Sequence, residues 1–390
     1  MTPGARVQAA IEILDRILDG GAAERELTVW ARGSRYAGSK DRAAVRDHVF
    51  DALRTLRSSA WIGGEAEIAP GIARSIMAGR LIGEDVDVKS IFNGQGHAPE
   101  PISPPVDLGP APDAVRLDMP DWLLPILRAD LGSAAEHVAL ALRTRAPVFL
   151  RANIARITRQ DLLAKLSEEG VAAEPDAASP TAIRLTGTPR GLTALPSFRD
   201  GLWELQDAGS QALVDRIPAS PDARILDLCA GGGGKALALA ARGPEQVFAH
   251  DADPARMRDL PARTARAGAR ISQITAPEGA APFDGVVADV PCSGSGSWRR
   301  APDAKWRLTE ARLTELTQTQ DAILDRAIAL TRPGGWIAYM TCSILARENA
   351  DRAAAALSRH RNVAIRDQWS SLPVDGGHDG FHVCLLKRES

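Results

Sequence analysis

Four cysteines in 390 residues, and no apolar run long enough to cross a bilayer, set the first limits on this chain. Four scattered thiols are too few for a disulfide scaffold and lack the paired spacing of a zinc site, so no metal site is expected. Free thiols fit a reducing cytoplasm. Without a membrane span, no membrane partner is expected. Excess charge of one sign is also missing. The net charge of −2 argues against indiscriminate nucleic-acid binding, whose sequence-independent part comes from Lys and Arg on phosphates. Local basic tracks remain. Arg143 to Arg159 holds five arginines, and Arg299, Arg300, Lys305 and Arg307 form a compact cluster. Such runs are as often solvated faces as binding surfaces. Internal repeats are absent, and nothing in the pattern calls for more than a monomer.

The length leaves room for two or three domains. Val7, Ala10, Ile11, Leu14, Ile17 and Leu18 follow the helical period, as do Val45, Val49, Leu53 and Leu56. Glu12, Asp15 and Arg16 inside the first of these runs are foreign to a signal peptide's apolar stretch. Residues 1–92 therefore read as all-helical. Residues 93–115 carry six prolines between Pro99 and Pro112 and no periodicity, which is a linker signature. Residues 116–205 read as a small α+β module. It has helices opening at Pro120 and over Ala134–Arg143, strands at 148–151 and 182–185, and a helix over 159–168. From about Gln206 strands and helices alternate. Strands are predicted at 224–228, 246–250, 271–274, 285–289, 335–340 and 381–387, with helices at 233–241, 254–266, 311–330 and 347–358. Alternation of this kind implies a doubly wound, mostly parallel sheet over 206–390.

Two features of this last region carry chemistry. Asp227-Leu-Cys229-Ala230-Gly231-Gly232-Gly233-Gly234-Lys235 joins a buried strand to a helix, and its glycines permit a tight turn and close backbone approach to a ligand. A P-loop would need Gly at 229 and Ser or Thr after the lysine, and Cys229 and Ala236 exclude it. A dinucleotide fingerprint is formally met by Gly231, Gly233 and Ala236, with Asp251 twenty residues on. S-adenosylmethionine (SAM) also lies over such a turn, with an acid after the next strand for its ribose, and Asp251 suits both ligands. The second feature is a pair of thiols. Cys292 and Cys342 each follow an apolar strand and precede small polar residues, and Asp289 lies three positions before Cys292. Strand ends face the ligand crevice of an open α/β sheet, where a thiol can serve as a nucleophile. Cys384, inside an apolar strand, and Cys229, beside the glycines, read as packing.

Taken together, these stretches resemble the RsmB/NOP family of RNA (cytosine-5) methyltransferases. The cofactor loop of that family, DxCAAPGGKT, is matched by Asp227 to Ala236. Its DAPCSG stretch is matched by Asp289 to Gly294, and its RRxPDxKWR stretch by Arg299 to Arg307. Its PGGxLVYSTCS…EN stretch is matched by Pro333 to Ser343 with Glu348-Asn349. Leu150-Arg151-Ala152-Asn153 and Gly201 to Gln211 look like its small RNA-binding module and junction. Lys40 to Arg54 looks like the NusB-like domain of the bacterial 16S rRNA member. Three departures stand out. Gly231-Gly232 replaces Ala-Pro, Ala236 replaces Thr, and no acid follows the third strand except Glu278.

The resemblance implies a class I, Rossmann-like SAM methyltransferase domain with an α+β RNA-binding module and an all-α NusB-like domain. It implies SAM held by Cys229, Ala230, Gly231, Gly232, Gly233, Gly234, Lys235, Asp251 and Asp289. It casts Cys342 as the nucleophile on carbon 6 of cytosine, Asp289 as the partner of the activated ring and Cys292 as the aid to release. Arg151, Arg299, Arg300, Lys305 and Arg307 become candidates for RNA phosphates. Small-subunit rRNA is the expected substrate, with tRNA the alternative. The departures keep open a family member that binds RNA and methylates poorly. A nicotinamide dehydrogenase would leave both strand-end cysteines without a role.

Overall fold

In the computed structural model, which describes residues 1–187, 191–218 and 220–389, eleven strands occur among the described residues. They are β1 (Phe149–Ala152), β2 (Ala173–Pro175), β3 (Ala182–Leu185), β4 (Trp203–Leu205), β5 (Arg224–Asp227), β6 (Gln246–Ala249), β7 (Ile271–Gln273), β8 (Phe283–Asp289), β9 (Thr331–Thr341), β10 (Val363–Ser371) and β11 (Phe381–Arg388). The first four form an antiparallel sheet in the order β2-β3-β1-β4. The other seven form a second sheet in the order β10-β11-β9-β8-β5-β6-β7. Within it β7, β6, β5, β8 and β9 run parallel, and β11 and β10 close one edge antiparallel.

The parallel strands are apolar almost throughout because both faces are covered. Side chains alternate between the two faces along each strand. Val286, Ala288, Ile337 and Tyr339 enter one buried cluster. Val287, Ala338 and Met340 enter the other. From β5 the chain steps outward to β6 and β7, then returns to the opposite side of β5 at β8. At such a reversal of strand order the carboxyl ends of the central strands open a crevice. Asp227 ends β5 and Asp289 ends β8.

Three strands escape the sequence pattern, as does the helix Ala208–Asp215. β2 and β4 are three residues each, and β10 is a largely exposed edge strand without an apolar alternation. The predicted helix over 254–266 divides into a 3₁₀ turn, Pro254–Met257, and a helix, Leu260–Ala267. Pro261 explains the break, since it lacks a backbone donor and is tolerated only in a helix's first turn. No described helix is long and apolar enough to cross a membrane.

The described chain has two compact units: Met1–Arg145 with Trp298–Arg307, and Ala146–Ser297 with Leu308–Ser390. The division falls after Arg145, so the helices Asp113–Arg116, Leu123–Leu131 and Ala135–Ala141 belong with the first unit. That unit is all-helical. Val7, Leu14, Val45, Val49 and Leu53 lie in its core, as their helical spacing predicts.

Trp298–Arg307 brings a correction. Arg299 and Lys305, expected at phosphates, are only 0% and 1% exposed. The backbone oxygen of Arg299 accepts from Arg54 Nε at 2.7 Å, and Trp306 Nε1 donates to Leu53 O at 2.7 Å. Burial pushes the Lys305 ammonium down to about 8, against the attraction of Asp118. Asp118 is itself buried, accepts from Ser58 N and Oγ at 3.0 and 2.7 Å, and ion-pairs Arg143 at 2.9 Å. These cations are spent on the fold. Arg300 and Arg307 stay at the surface.

Candidate active site

Every catalytic and cofactor candidate lies in the second unit, at the carboxyl ends of β5, β6, β8 and β9. The turn after β5 is shaped by glycine. Gly231 has φ +50° and Gly233 φ +81°, a region that L-residues with a Cβ rarely enter. Gly232 lies exposed on the turn. Asp251, beyond β6, accepts from Gly231 N at 2.9 Å and from Asp253 N at 3.0 Å, and Arg256 pairs with it at 3.3 Å. Asp227 is 1% exposed, with only the backbone amides of Ala236 and Cys229 and the charge of Lys235 to favour its ionised form. Burial, reinforced by Asp289, pushes its carboxyl up to about 7.

Arg151 belongs to the support of this turn. It donates to Gly234 O at 2.6 Å and to Gln206 Oε1, and it is 5% exposed. It is therefore withdrawn from the phosphate contacts expected of it. A planar guanidinium held behind the glycines fixes their backbone from the rear.

Lys235 follows the glycines and reaches Asp289 at the end of β8, with Nζ 2.5 Å from Oδ2. Burial works against the lysine's charge, but Asp289 and then Asp227 outweigh it and hold the ammonium above its usual value. The nearest acid and cation of the pocket are thus locked together.

Cys292 and Cys342 meet. Their sulfurs are 3.4 Å apart, too far for a covalent bond and close enough for an S–H···S contact, and both thiols are free. Parallel pairing of β8 with β9 sets Asp289 opposite Met340, so the turns after both strands open on one side. The S–H of Cys292 lowers the Cys342 thiol below its usual value against the cost of burial and the charge of Asp289, with Lys235 and Ser297 helping. That same contact, then burial, then the charges of Cys342 and Glu348, raise Cys292 well above its usual value. The pair divides labour: one sulfur is disposed to be a thiolate, the other to keep its proton. Only the thiolate is a strong nucleophile. Cys229, pushed up to about 12 by burial and by Asp227, stays a thiol, and so does Cys384.

A residue with no role assigned from sequence stands behind both thiols. Glu348 is fully buried and accepts from Ser293 N at 2.8 Å, Ser343 Oγ at 2.5 Å, Gln320 Nε2 at 3.0 Å and Ser293 Oγ. The sequence signals were its place after a thiol-bearing strand end and its match, with Asn349, to the close of the family's PGGxLVYSTCS…EN stretch. Nothing local marks a glutamate as buried.

A family profile described as 16S rRNA methyltransferase RsmB/F matches residues 217–381. A second, the RsmF/B-like ferredoxin-like domain, matches residues 119–190. The ribosomal RNA small subunit methyltransferase B of Xanthomonas campestris pv. campestris is 37% identical over 297 residues, 70% of this chain and 67% of that protein. Its counterpart in Serratia proteamaculans is 32% identical over 283 residues, 68% of this chain and 66% of that protein. The alignments thus span about two thirds of each relative's length. The crystal structure of PH0851 shares the fold, with a TM-score of 0.77 at 20% identity, over 100% of this chain and 99% of its own. With the glycine turn, the paired strand-end thiols and a relative this similar, the chain belongs to the RsmB/F family of 16S rRNA methyltransferases.

Proposed function

We propose that this protein methylates carbon 5 of a cytosine in small-subunit rRNA, with SAM as donor and Cys342 as covalent nucleophile. The observation that carries the reading is the 3.4 Å contact between Cys292 and Cys342 beside the Lys235–Asp289 pair. The names of the relatives supply the rRNA. The residues present suit the cofactor. The positive-φ glycines hold a turn that a residue with a Cβ would strain, Asp251 stands after β6 for ribose hydroxyls, and the buried Asp227 carboxyl suits a cationic amino group. When bound, SAM supplies an electrophilic methyl group. The protein's own groups do the rest.

Carbon 5 of cytosine is too poor a nucleophile to take a methyl group unaided. A thiolate adding to carbon 6 moves electron density onto carbon 5 and divides one hard step into easier ones. Cys342, the sulfur disposed to lose its proton, makes that bond. Asp289 holds the ring at N3 as it gains a proton, while Lys235 keeps one of its oxygens fixed. Once carbon 5 has lost its proton to a base, the carbon–sulfur bond breaks and Cys342 departs as thiolate. Cys292, the neighbouring S–H, stabilises that leaving group. The target base has to be unpaired or flipped to reach the crevice. Arg300 and Arg307 remain the surface candidates for phosphate. Both thiols need to stay reduced, as they would in cytoplasm.

Denaturing gels of protein mixed with rRNA and SAM test this. Cys342→Ala is expected to abolish transfer and adduct alike, and Cys292→Ala to accumulate a covalent RNA–protein band. Full turnover by Cys342→Ala would overturn the covalent mechanism. Full turnover by Cys292→Ala, without an adduct, would remove Cys292 from it.

A further inference from the structure

Glu348 is a carboxylate whose four donors are all neutral. Two belong to Ser293, one to Ser343 and one to Gln320. Ser293 directly follows Cys292, and Ser343 directly follows Cys342. One buried side chain therefore ties together the two loops that carry the thiols. The tie is braced from behind. Tyr339 OH donates to Glu348 O at 2.6 Å, Gln320 Nε2 also donates to Pro291 O at 3.0 Å, and Asn349 Nδ2 donates to Ser343 O at 2.9 Å. Ser295 Oγ lies 2.9 Å from Ser343 Oγ and receives Ile344 N, also at 2.9 Å, so the loops meet a second time. A brace alone would not need a charge. Burying a carboxylate without a cation is costly, and neutral side chains could join two loops at less expense.

We propose that Glu348 is a positioning residue of the two-thiol site, which fixes the separation of Cys292 and Cys342 and, through its charge, keeps their shared proton on Cys292. The charged and titratable groups around the pair support this division. Asp289 and Lys235 face Cys342 with opposite effects, the acid opposing its ionisation and the ammonium favouring it, and are paired with each other. Glu348 and Tyr339 lie on the Cys292 side, and the Arg352–Asp321 pair at 2.6 Å acts on Tyr339. There the ion pair neutralises itself, Tyr339 is held as a neutral phenol by burial, and Glu348 is left as the uncompensated charge. A negative charge beside Cys292 disfavours a second one on its sulfur, so Cys342 is the sulfur that ionises. The catalytic consequence rests on the methyl-transfer reading: the nucleophile is ready before the base arrives, and a proton donor stands beside the departing sulfur.

The thiols can be read without RNA. Full-length protein is alkylated with limiting iodoacetamide at pH 7, and the ratio of label on Cys342 to label on Cys292 is measured by mass spectrometry. The parent is expected to label Cys342 preferentially. In Glu348→Gln the ratio is expected to fall about tenfold, the effect of roughly one pKa unit between the two sulfurs. Glu348→Asp, which keeps the charge, is expected to retain more of it. An unchanged ratio in a folded Glu348→Gln protein overturns the proposal. Should Glu348→Gln fail to fold, the double variant Ser293→Ala/Ser343→Ala keeps the carboxylate and loses the hydroxyl ties. Its affinity for a trivalent phenylarsenical, which bridges two adjacent thiols, is expected to drop at least several-fold. Unchanged arsenical affinity overturns the positioning role. A parent that shows the labelling ratio and transfers no methyl group to rRNA defeats the transferase reading and leaves the role of Glu348 standing.

Discussion

Gly233→Ala probes the cofactor turn at its tightest point. Two costs can be read from the structure. The residue has φ +81°, and an L-residue in that region costs about 1–2 kcal/mol. A Cβ placed there would lie 2.2 Å from Leu260 Cδ1 and 3.3 Å from its Cγ. Leu260 is fully buried and cannot swing into solvent, so the overlap adds about 1–3 kcal/mol. The sum is about 2–5 kcal/mol. It can emerge in either of two places. If the turn holds its shape, urea unfolding reports the loss. If the turn yields locally, SAM affinity falls instead, by roughly 30-fold to several thousand-fold. Urea titration and SAM calorimetry on the same preparations therefore bracket the effect. Leu260→Ala separates the two costs. It removes the overlap and leaves the dihedral penalty, so the double-mutant cycle should show a favourable coupling of about 1–3 kcal/mol. Gly233→Ala with unchanged stability and unchanged SAM affinity, or a cycle with no coupling to Leu260, would refute the reasoning.

Three further outcomes are expected. Asp118→Asn strips the carboxylate from buried Lys305 and should destabilise the all-helical unit by about 3–5 kcal/mol in urea unfolding, with much of the loss restored by Lys305→Met in the same chain. Lys235→Met removes a cation that favours the Cys342 thiolate, so iodoacetamide should alkylate Cys342 several-fold more slowly at pH 7 and approach the parent rate at high pH. Asp227 has a carboxyl raised to about 7, from an ordinary value of 3.8. Its protonated form is the one the fold favours, so its contribution is complete below about pH 4 and is lost as pH rises through 7. Asp227→Asn, which mimics the protonated form, should therefore gain melting temperature over the SAM-free parent between pH 5 and pH 8. A constant difference across that window would contradict the assignment.

Much of the architecture is written in local pattern. Apolar runs such as Val286-Val287-Ala288 mark strands covered on both faces, and their alternation with helices implies a parallel sheet whose carboxyl ends are the place for chemistry. The glycines after β5 are readable because a side chain restricts the dihedrals of such a turn. The two thiols are readable from their positions just past strand ends. The compact units divide after Arg145 while the ferredoxin-like profile begins at residue 119, because helices at 113–141 look alike whichever neighbour they pack against. β10 was missed because an exposed edge strand needs no apolar face.

The sequence by itself determined the order of strands and helices and which residues stand at the mouth of the sheet, since both follow from short-range periodicity and turn chemistry. Tertiary structure alone decided the fate of the charged groups. Arg151, Arg299 and Lys305 looked like phosphate ligands and are buried, while Glu348, marked in the sequence only as part of a matching stretch, holds both thiol loops. The reason is physical. A charge is tolerated inside a protein only where its partners converge, and Gly234, Gln206, Asp118, Ser293, Ser343 and Gln320 are brought to these charges by the fold.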